Sequence, residues 1–214
     1  MSHRLVVLIS GTGSNLQAML DAVAAGTLPA EVTLVLSNRA DAGGLLRAHN
    51  AGVPTAVIDH RDYASREAFD AAMAERIDQA GADTVALAGF MRILSAGFVQ
   101  HYQGRLINIH PSLLPKYPGL HTHARALEAG DTEHGCSLHF VTEELDGGPL
   151  IAQARIAVAE NDDVDSLSKR VQEQEHELYP QVLRWRAEQR LRLTDQGVQL
   201  DGRLLPSEGY QQHG

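Results

Sequence analysis

The sequence predicts an α/β fold of three layers, with a mostly parallel, twisted sheet between two sets of helices, and three observations carry that prediction. Short apolar runs of strand length alternate with segments at helical spacing through the first half of the chain. The first of these runs, Leu5 to Ile9, is almost continuously aliphatic, as in a strand covered on both faces. A glycine-rich turn, Gly11-Thr12-Gly13, joins that run directly to the first helical segment, which makes the first half Rossmann-like.

The elements follow in order. Arg4 to Ile9 is the first strand, and Asn15 to Ala25 is a helix with Leu16, Met19, Leu20 and Val23 on one side. Glu31 to Ser37 is a second strand, Gly44 to Asn50 a short helix and Thr55 to Ile58 a third strand. Ser65 to Gln79 is the clearest helix. Ser65 suits its N-cap, and Phe69, Ala72, Met73, Arg76 and Ile77 recur at helical spacing with the arginine at the stripe's edge. Thr84 to Ala88 is a fourth strand. In the second half, Arg105 to Ile109 is a strand that runs into a loop with Pro111, Pro115 and Pro118. His123 to Ala129 is a short helix. Gly135 to Val141 and Leu150 to Ala157 are strands separated by TEELDGG, and they are expected to pair antiparallel at an edge of the sheet. Asp163 to Trp185 is helical with an interruption near Pro180, because proline removes one helix hydrogen bond. The polar stretch from Arg186 to Gly214 is expected to form a hairpin or irregular strand and then fray.

With 214 residues the chain fits one domain of two lobes, 1–100 and 101–214, on one continuous sheet. The formal charge of −9, with no basic tail, disfavours nucleic acid as a partner. The single cysteine, Cys136, excludes an internal disulfide and makes a cysteine-only metal site untenable. No stretch approaches the roughly 20 apolar residues that span a bilayer, and the N-terminus lacks the pattern of a secretory signal. A cytoplasmic protein is expected.

Two regions carry chemistry. The first is Ser10-Gly11-Thr12-Gly13-Ser14-Asn15, where main-chain amides and a helix N-terminus can converge on a phosphate. Leu16 replaces the third glycine of a dinucleotide fingerprint, Ser37-Asn38-Arg39 supplies no acidic residue for a ribose, and no Walker lysine is present. A phosphate monoester therefore fits better than NAD or ATP, and a tight turn without a ligand is the alternative. The second region joins Asn108 and His110, two apart and so on one face of a strand, with Asp146 before Gly147-Gly148. An amide, an imidazole and a carboxylate can together hold an oxyanion and move protons in an acyl transfer to an amine. Each residue also has a plain structural reading: a strand amide, a strand-end histidine, a turn former. His121, His123, His134 and His139 lack the spacing of a metal site, so no metal is expected. His139 reads as a packed strand residue or a donor near the cleft. Gly89 to Leu94 could line a slot for a flat ring or simply pack. Glu175, on a helical stretch, could hold an amine or face solvent.

The segments SGTGSNLQA, LAGFMRILS, NIHPSLLPKYPGLHTH, HFVTEELDGGP and, near the end, RLLPSEGY resemble the folate-dependent formyltransferases, and among them the phosphoribosylglycinamide formyltransferases of purine biosynthesis. The resemblance runs from Leu5 to about Tyr179. The polar triplet alone defines the wider superfamily, which includes methionyl-tRNA formyltransferases and formyltetrahydrofolate hydrolases. That no basic RNA-binding module or further regulatory domain is visible favours the glycinamide branch.

The resemblance implies transfer of a formyl group from 10-formyltetrahydrofolate, as co-substrate, to the amine of glycinamide ribonucleotide. It implies a phosphate on Gly11, Thr12, Gly13, Ser14 and Asn15, although relatives often carry asparagine where this chain has Thr12. It assigns Lys116, Tyr117, Pro118 and Gly119 to the border of the acceptor site, with Glu175 approaching the glycinamide portion. It assigns the pterin to Arg92, Ile93, Leu94 and the loop of Val141, Thr142, Glu143, Glu144, Leu145 and Asp146, with Met91 between the two substrates. Arg66 and Asn108 join the folate-binding set. On this view 1–100 is the phosphate-binding half and 101–214 the catalytic and folate-binding half. Asn108 and a protonated His110 would hold the oxyanion of a tetrahedral intermediate, with Asp146 sustaining the charge on His110 and orienting a proton-relaying water. A monomer or weak homodimer is expected. The alternatives are a formyltetrahydrofolate hydrolase, a formyltransferase with another amine acceptor, or a non-enzymatic binder of phosphorylated metabolites.

Overall fold

The computed structural model describes residues 2–214. Eight strands form one sheet in the order β11-β7-β6-β5-β4-β1-β2-β3. In chain order they are β1 (His3–Ile9), β2 (Ala30–Ser37), β3 (Thr55–Val57), β4 (Thr84–Leu87), β5 (Leu106–His110), β6 (Glu133–Phe140), β7 (Leu150–Ala157) and β11 (Tyr210–His213). Pairing is parallel except where β6 meets β5 and β7. The remaining strands, β8 (Leu191–Thr194), β9 (Gly197–Leu200) and β10 (Arg203–Leu204), make a small antiparallel sheet.

Strand β1 explains the layering. Its side chains alternate between faces, so Leu5, Val7 and Ile9 join one core while Val6 and Leu8 join the other. The first core is closed by α1 (Ser14–Ala24) and α6 (Val164–Ala187), through Leu16, Met19, Leu178 and Val182. The second is closed by α3 (Arg66–Gln79) and α4 (Ala96–His101), through Phe69, Met73, Ile77 and Phe98. A strand covered on both faces must be apolar throughout, which is why β1 shows no polar alternation.

Several boundaries match local signals. The Ser65 side chain accepts from Ala68 N at the start of α3, as expected of a cap. Helix α2 spans Gly44–Asn50 and β7 spans Leu150–Ala157, both as the pattern predicts. The structure also differs from the expectations. Helix α6 is continuous through Pro180, for Tyr179, Val182 and Leu183 beside it are buried, and packing outweighs the one hydrogen bond lost. The tail does not fray. It builds β8 to β10, and β11 then pairs parallel with β7, so the antiparallel pair β6–β7 is not outermost. Helix α4 was not anticipated; Ser95 caps it by accepting from Phe98 N. Asp70, on the buried face of α3, was also not anticipated, and its Oδ2 accepts from Ser95 N at 2.5 Å.

Candidate active site

The carboxyl ends of β1, β4 and β5 lie side by side, and the candidate residues gather there. The chain proceeds from β1 outward to β3, then returns to place β4 on the other side of β1. Such a reversal leaves a crevice at the strand ends where open α/β sheets receive ligands.

Strand β1 delivers the glycine-rich turn. Ser10 latches it in place: its Oγ donates to Asn38 Oδ1 at 2.6 Å and accepts from Met91 N at 2.8 Å, while Ser10 N donates to the Gly89 carbonyl at 3.2 Å. One hydroxyl thus ties the turn to β2 and to the loop after β4. Beyond it, the amides of Gly11, Thr12, Gly13, Ser14 and Asn15 donate to no group among the described residues. Free amides at a helix N-terminus suit an anion. Gly13 adopts a left-handed φ of 75°, and a Cβ there would run into the Gly44 backbone, so only glycine fits. Asn15 is buried, and its Nδ2 donates to Glu175 Oε2 at 3.0 Å. Burial pushes the Glu175 carboxyl up to about 7, against the opposing effect of the Asn15 hydrogen bond. Glu175 therefore sits at the base of the phosphate-type turn.

Strand β5 delivers Asn108 and His110. Antiparallel register sets His139 of β6 opposite Asn108, where Asn108 Nδ2 lies 3.2 Å from His139 Nε2. His139 Nδ1 is 3.0 Å from the Phe140 carbonyl, an acceptor only, so Nδ1 carries the proton and Nε2 accepts from Asn108. Burial lowers the His139 pKa, with the Phe140 carbonyl and Asp146 opposing, which keeps the ring neutral and able to accept. His110 is fixed in the same way. Its Nε2 lies 2.7 Å from the Tyr117 carbonyl and must donate to it, which leaves Nδ1 as the nitrogen free for chemistry.

Asp146 reaches this nitrogen from the loop after β6. Its Oδ2 stands 3.4 Å from His110 Nδ1 and accepts from Gly119 N at 2.8 Å, and its Oδ1 stands 3.9 Å from His139 Nε2. Asp146 itself has φ 51°, and a Cβ on Gly148 would strike the Phe140 carbonyl. Gly148 is therefore required by the fold of the loop and does more than form a turn.

The proline-rich loop between β5 and α5 (Thr122–Glu128) is fastened to its surroundings. Lys116 Nζ and Tyr117 OH both donate to Asp131, at 2.8 and 2.7 Å. Arg125 Nη1 donates to the Pro118 carbonyl at 2.7 Å, and Leu114 N donates to Ser137 Oγ at 3.0 Å. Gly119 is thereby held against Asp146.

The residues assigned to a folate ring are mostly exposed. Met91, Ile93 and Leu145 are apolar side chains more than half exposed, while Leu94 and Val141 are partly buried against the core. Arg92, Glu143 and Glu144 are exposed, Thr142 is partly exposed, and Gln100 Nε2 donates to Glu143 at 2.8 Å. Arg66 stands apart: it opens α3, is exposed, and makes no hydrogen bond or ion pair to these residues. Among the described residues no group of three or more His, Cys, Asp or Glu is arranged to hold a metal. His123 Nδ1 and His134 Nε2 form a 3.0 Å pair beyond His110. Cys136 is buried in β6, and burial pushes its thiol far up, so it packs as a small strand residue.

Residue patterns alone did not reveal the Ser10–Asn38 latch or the neutral acceptor role of His139. The polar Ser10 and Asn38 at the ends of two apolar strands were the available signal for the first. The second depends on cross-strand register, which sequence spacing does not encode.

Comparison with known proteins agrees with this geometry. The family model described as "Formyl transferase" matches residues 3–183. The Escherichia coli (strain K12) phosphoribosylglycinamide formyltransferase is 55% identical over 206 residues, covering 96% of this chain and 97% of that one. The Drosophila melanogaster trifunctional purine biosynthetic protein adenosine-3 is 53% identical over 182 residues, which are 84% of this chain and 14% of that protein. The solved phosphoribosylglycinamide formyltransferase of Coxiella burnetii superposes with a TM-score of 0.96 at 50% identity, covering 99% of this chain and 100% of that one. With a crevice of this build and relatives matched over nearly its whole length, the chain belongs to the formyl transferase family.

Proposed function

We propose that this protein transfers a formyl group from 10-formyltetrahydrofolate to the amine of phosphoribosylglycinamide, in purine biosynthesis. The observation that carries the proposal is the meeting of Asn108, His110 and Asp146 at one crevice, beside a turn with five unpaired amides. Relatives that bear this activity in their names match over 96% of the chain.

The acceptor's phosphate rests on the amides of residues 11–15, and Lys116 with Tyr117, Pro118 and Gly119 borders the acceptor. Glu175 touches Asn15, so it faces the phosphoribosyl end of the acceptor, farther from the amine than the resemblance implies. Exposed apolar side chains beside a polar centre suit a flat heteroaromatic ring, and Met91, Ile93 and Leu145 supply them. Arg92, Leu94, Val141 and the Thr142–Glu144 backbone complete that wall, and Arg66 lies outside it. Residues 1–100 then supply the phosphate turn and, through Met91–Leu94, one side of the folate wall, while 101–214 supply Asn108, His110, Asp146 and the rest of that wall.

The formyl donor supplies the electrophilic carbonyl carbon. The acceptor amine attacks it directly, with no covalent enzyme intermediate. Asn108 keeps one Nδ2 hydrogen on His139 and offers the other to the developing oxyanion. His110, in its protonated form, offers Nδ1–H to the same oxyanion, because Nε2–H is committed to Tyr117. Asp146 aligns Nδ1 and orients a water that carries the amine's proton to the leaving nitrogen. The setting is cytoplasmic, for a monomer or weak homodimer, and the charge of −9 favours small-molecule partners over nucleic acid.

A spectroscopic assay of the folate product, with and without phosphoribosylglycinamide, tests the proposal. Product should appear only when the acceptor is present. Product without acceptor would make the protein a hydrolase, and no product under either condition would leave only a metabolite-binding role.

A further inference from the structure

We infer that Arg47 is a positioning residue for the phosphate-binding turn, acting on the main chain and not on the ligand. The inference rests on the function proposed above and concerns how the turn is held open for a phosphate monoester. Two successive carbonyls of the turn are pinned from the same side by α2. Gly44 N donates to the Gly11 carbonyl at 3.0 Å, and Arg47 Nε donates to the Thr12 carbonyl at 2.7 Å. A trans peptide is planar, so its N–H points opposite to its C=O. Pinning those two carbonyls toward α2 therefore turns the N–H groups of Thr12 and Gly13 away from α2. These amides have no partner among the described residues.

The Thr12–Gly13 peptide needs such a clamp. Rotating that peptide by half a turn changes the φ of Gly13, and glycine tolerates both values, so the sequence itself provides no lock. Among the described residues no other donor reaches the Thr12 carbonyl. On its far side, α1 and α2 border an open groove of about 660 Å³ lined by Thr12, Gln17, Gly43, Leu46, Arg47 and Asn50. Without Arg47 the carbonyl would face solvent and could point either way. Gln17 Oε1 accepts from Arg47 Nη1 at 3.3 Å and holds the guanidinium in register. The clamp is thus built from three elements, α1, α2 and the turn.

The donor is Nε, which is bonded to Cδ. In glutamine, Nε2 is bonded to Cδ as well, so Arg47→Gln keeps an N–H at the same reach and removes the charge. Arg47→Met removes both. We expect Arg47→Met to raise KM for the phosphorylated acceptor about tenfold, corresponding to loss of one or two aligned donors. Its kcat and its KM for the folate should stay within about twofold, since the turn is not among the reacting groups. Arg47→Gln should restore most of the acceptor KM. Calorimetry with ribose 5-phosphate, and with ribose as control, reads the turn without the reaction: Arg47→Met should weaken ribose 5-phosphate and leave ribose unaffected. That binding measurement holds even if formyl transfer itself were disproved. An unchanged acceptor KM in Arg47→Met, or a glutamine variant as impaired as the methionine one, would overturn the inference, the second outcome by showing that charge alone matters. Should Arg47→Met fail to fold, Gln17→Ala, which leaves Arg47 unbraced, is read in the same two assays and should raise the acceptor KM in the same direction. No rise would overturn the inference.

Discussion

At the scale of single residues the crevice works by dividing donors from acceptors. Asn108 has two amide hydrogens, and a neutral His139 takes only one. Asn108→Ala should therefore remove one oxyanion donor and raise the barrier by about 3 kcal/mol, as donor deletions do elsewhere. A loss in kcat corresponding to less than ~1 kcal/mol would remove Asn108 from that role. Asp146→Asn keeps an oxygen where Oδ2 meets both Gly119 N and His110 Nδ1 but removes the negative charge beside the imidazole. It should lower kcat by about 100-fold or more while the thermal midpoint moves by only a few degrees. Unchanged turnover would refute the assignment. Glu175 makes a different prediction. Its folded carboxyl titrates at about 7 against 4.5 in the open chain, so the folded protein holds a proton that the unfolded chain releases. Stability contributed by this group is fully present below pH 4.5 and is lost as pH rises through 7. Glu175→Gln removes that loss and keeps an acceptor for Asn15. The difference in thermal midpoint, variant minus parent, should grow from pH 5 to pH 8. A constant difference would show that Glu175 is ionised when buried. The grouping of Asn108, His110 and Asp146 was legible in the sequence because Asn108 and His110 share a strand face and Asp146 precedes two glycines. The protonation of each partner was not legible, since it follows from which carbonyl each ring nitrogen meets.

At the scale of elements, helix α6 anchors the strands that carry the crevice. Tyr179, fully buried, directs its hydroxyl at the carbonyls of Leu87 and Ile107, both at 3.0 Å, and so joins the ends of β4 and β5. Tyr179→Phe leaves two buried carbonyls without that donor and should cost about 1–2 kcal/mol in denaturant unfolding. Helix α5 is held by a more conditional contact. His134 is buried, its pKa pushed down to about 4 by burial and by His123, and burial lowers His123 as well. Both rings are neutral in the fold and become charged in the open chain near pH 6.5. Stability here is full above 6.5 and declines as pH falls from 6.5 toward 4. Hydrogen exchange between pH 7 and pH 5 should show residues 122–134 losing protection before β1 does. Uniform loss across the sheet would contradict the local origin. Elements with a strong local signal were legible: the serine cap at Ser65, the even aliphatic run of β1, the glycine turn. Those decided by distant packing were not. Pro180 reads as a break, yet Tyr179 and Val182 hold the helix through it. The short α4 offers only Ala96–His101, too few residues for periodicity to register.

At the scale of the whole molecule, the crevice lies where β1 and β4 diverge in chain order, and the parallel half meets the antiparallel one at β5. That arrangement lets the glycine-rich turn after β1 and the Asn108–His110–Asp146 group open toward the strand ends of one sheet. The β11 edge lies to one side of this point, with β7 and β6 between it and the β5 strand that carries Asn108 and His110. The last strand should then serve stability without serving the reaction. Tyr210–His213 pairs with Ala152–Arg155, Tyr210 packs edge-on to Trp185 at 5.2 Å, and the Arg155 guanidinium donates to Gln211 Oε1 at 2.7 Å. An unpaired β7 would offer open main-chain groups to another molecule. Truncation after Gly209 should lower the thermal midpoint and produce concentration-dependent association in light scattering. KM for both substrates should stay within about twofold, because among the described residues the side-chain hydrogen bonds of β11 to β7 and α6 go to Gln153, Arg155 and Glu177 and not to Asn108, His110 or Asp146. If truncation raised either KM by tenfold while the protein stayed folded and monomeric, the edge strand would have to be coupled to the crevice through the sheet, and the separation of scaffold from chemistry argued here would fail.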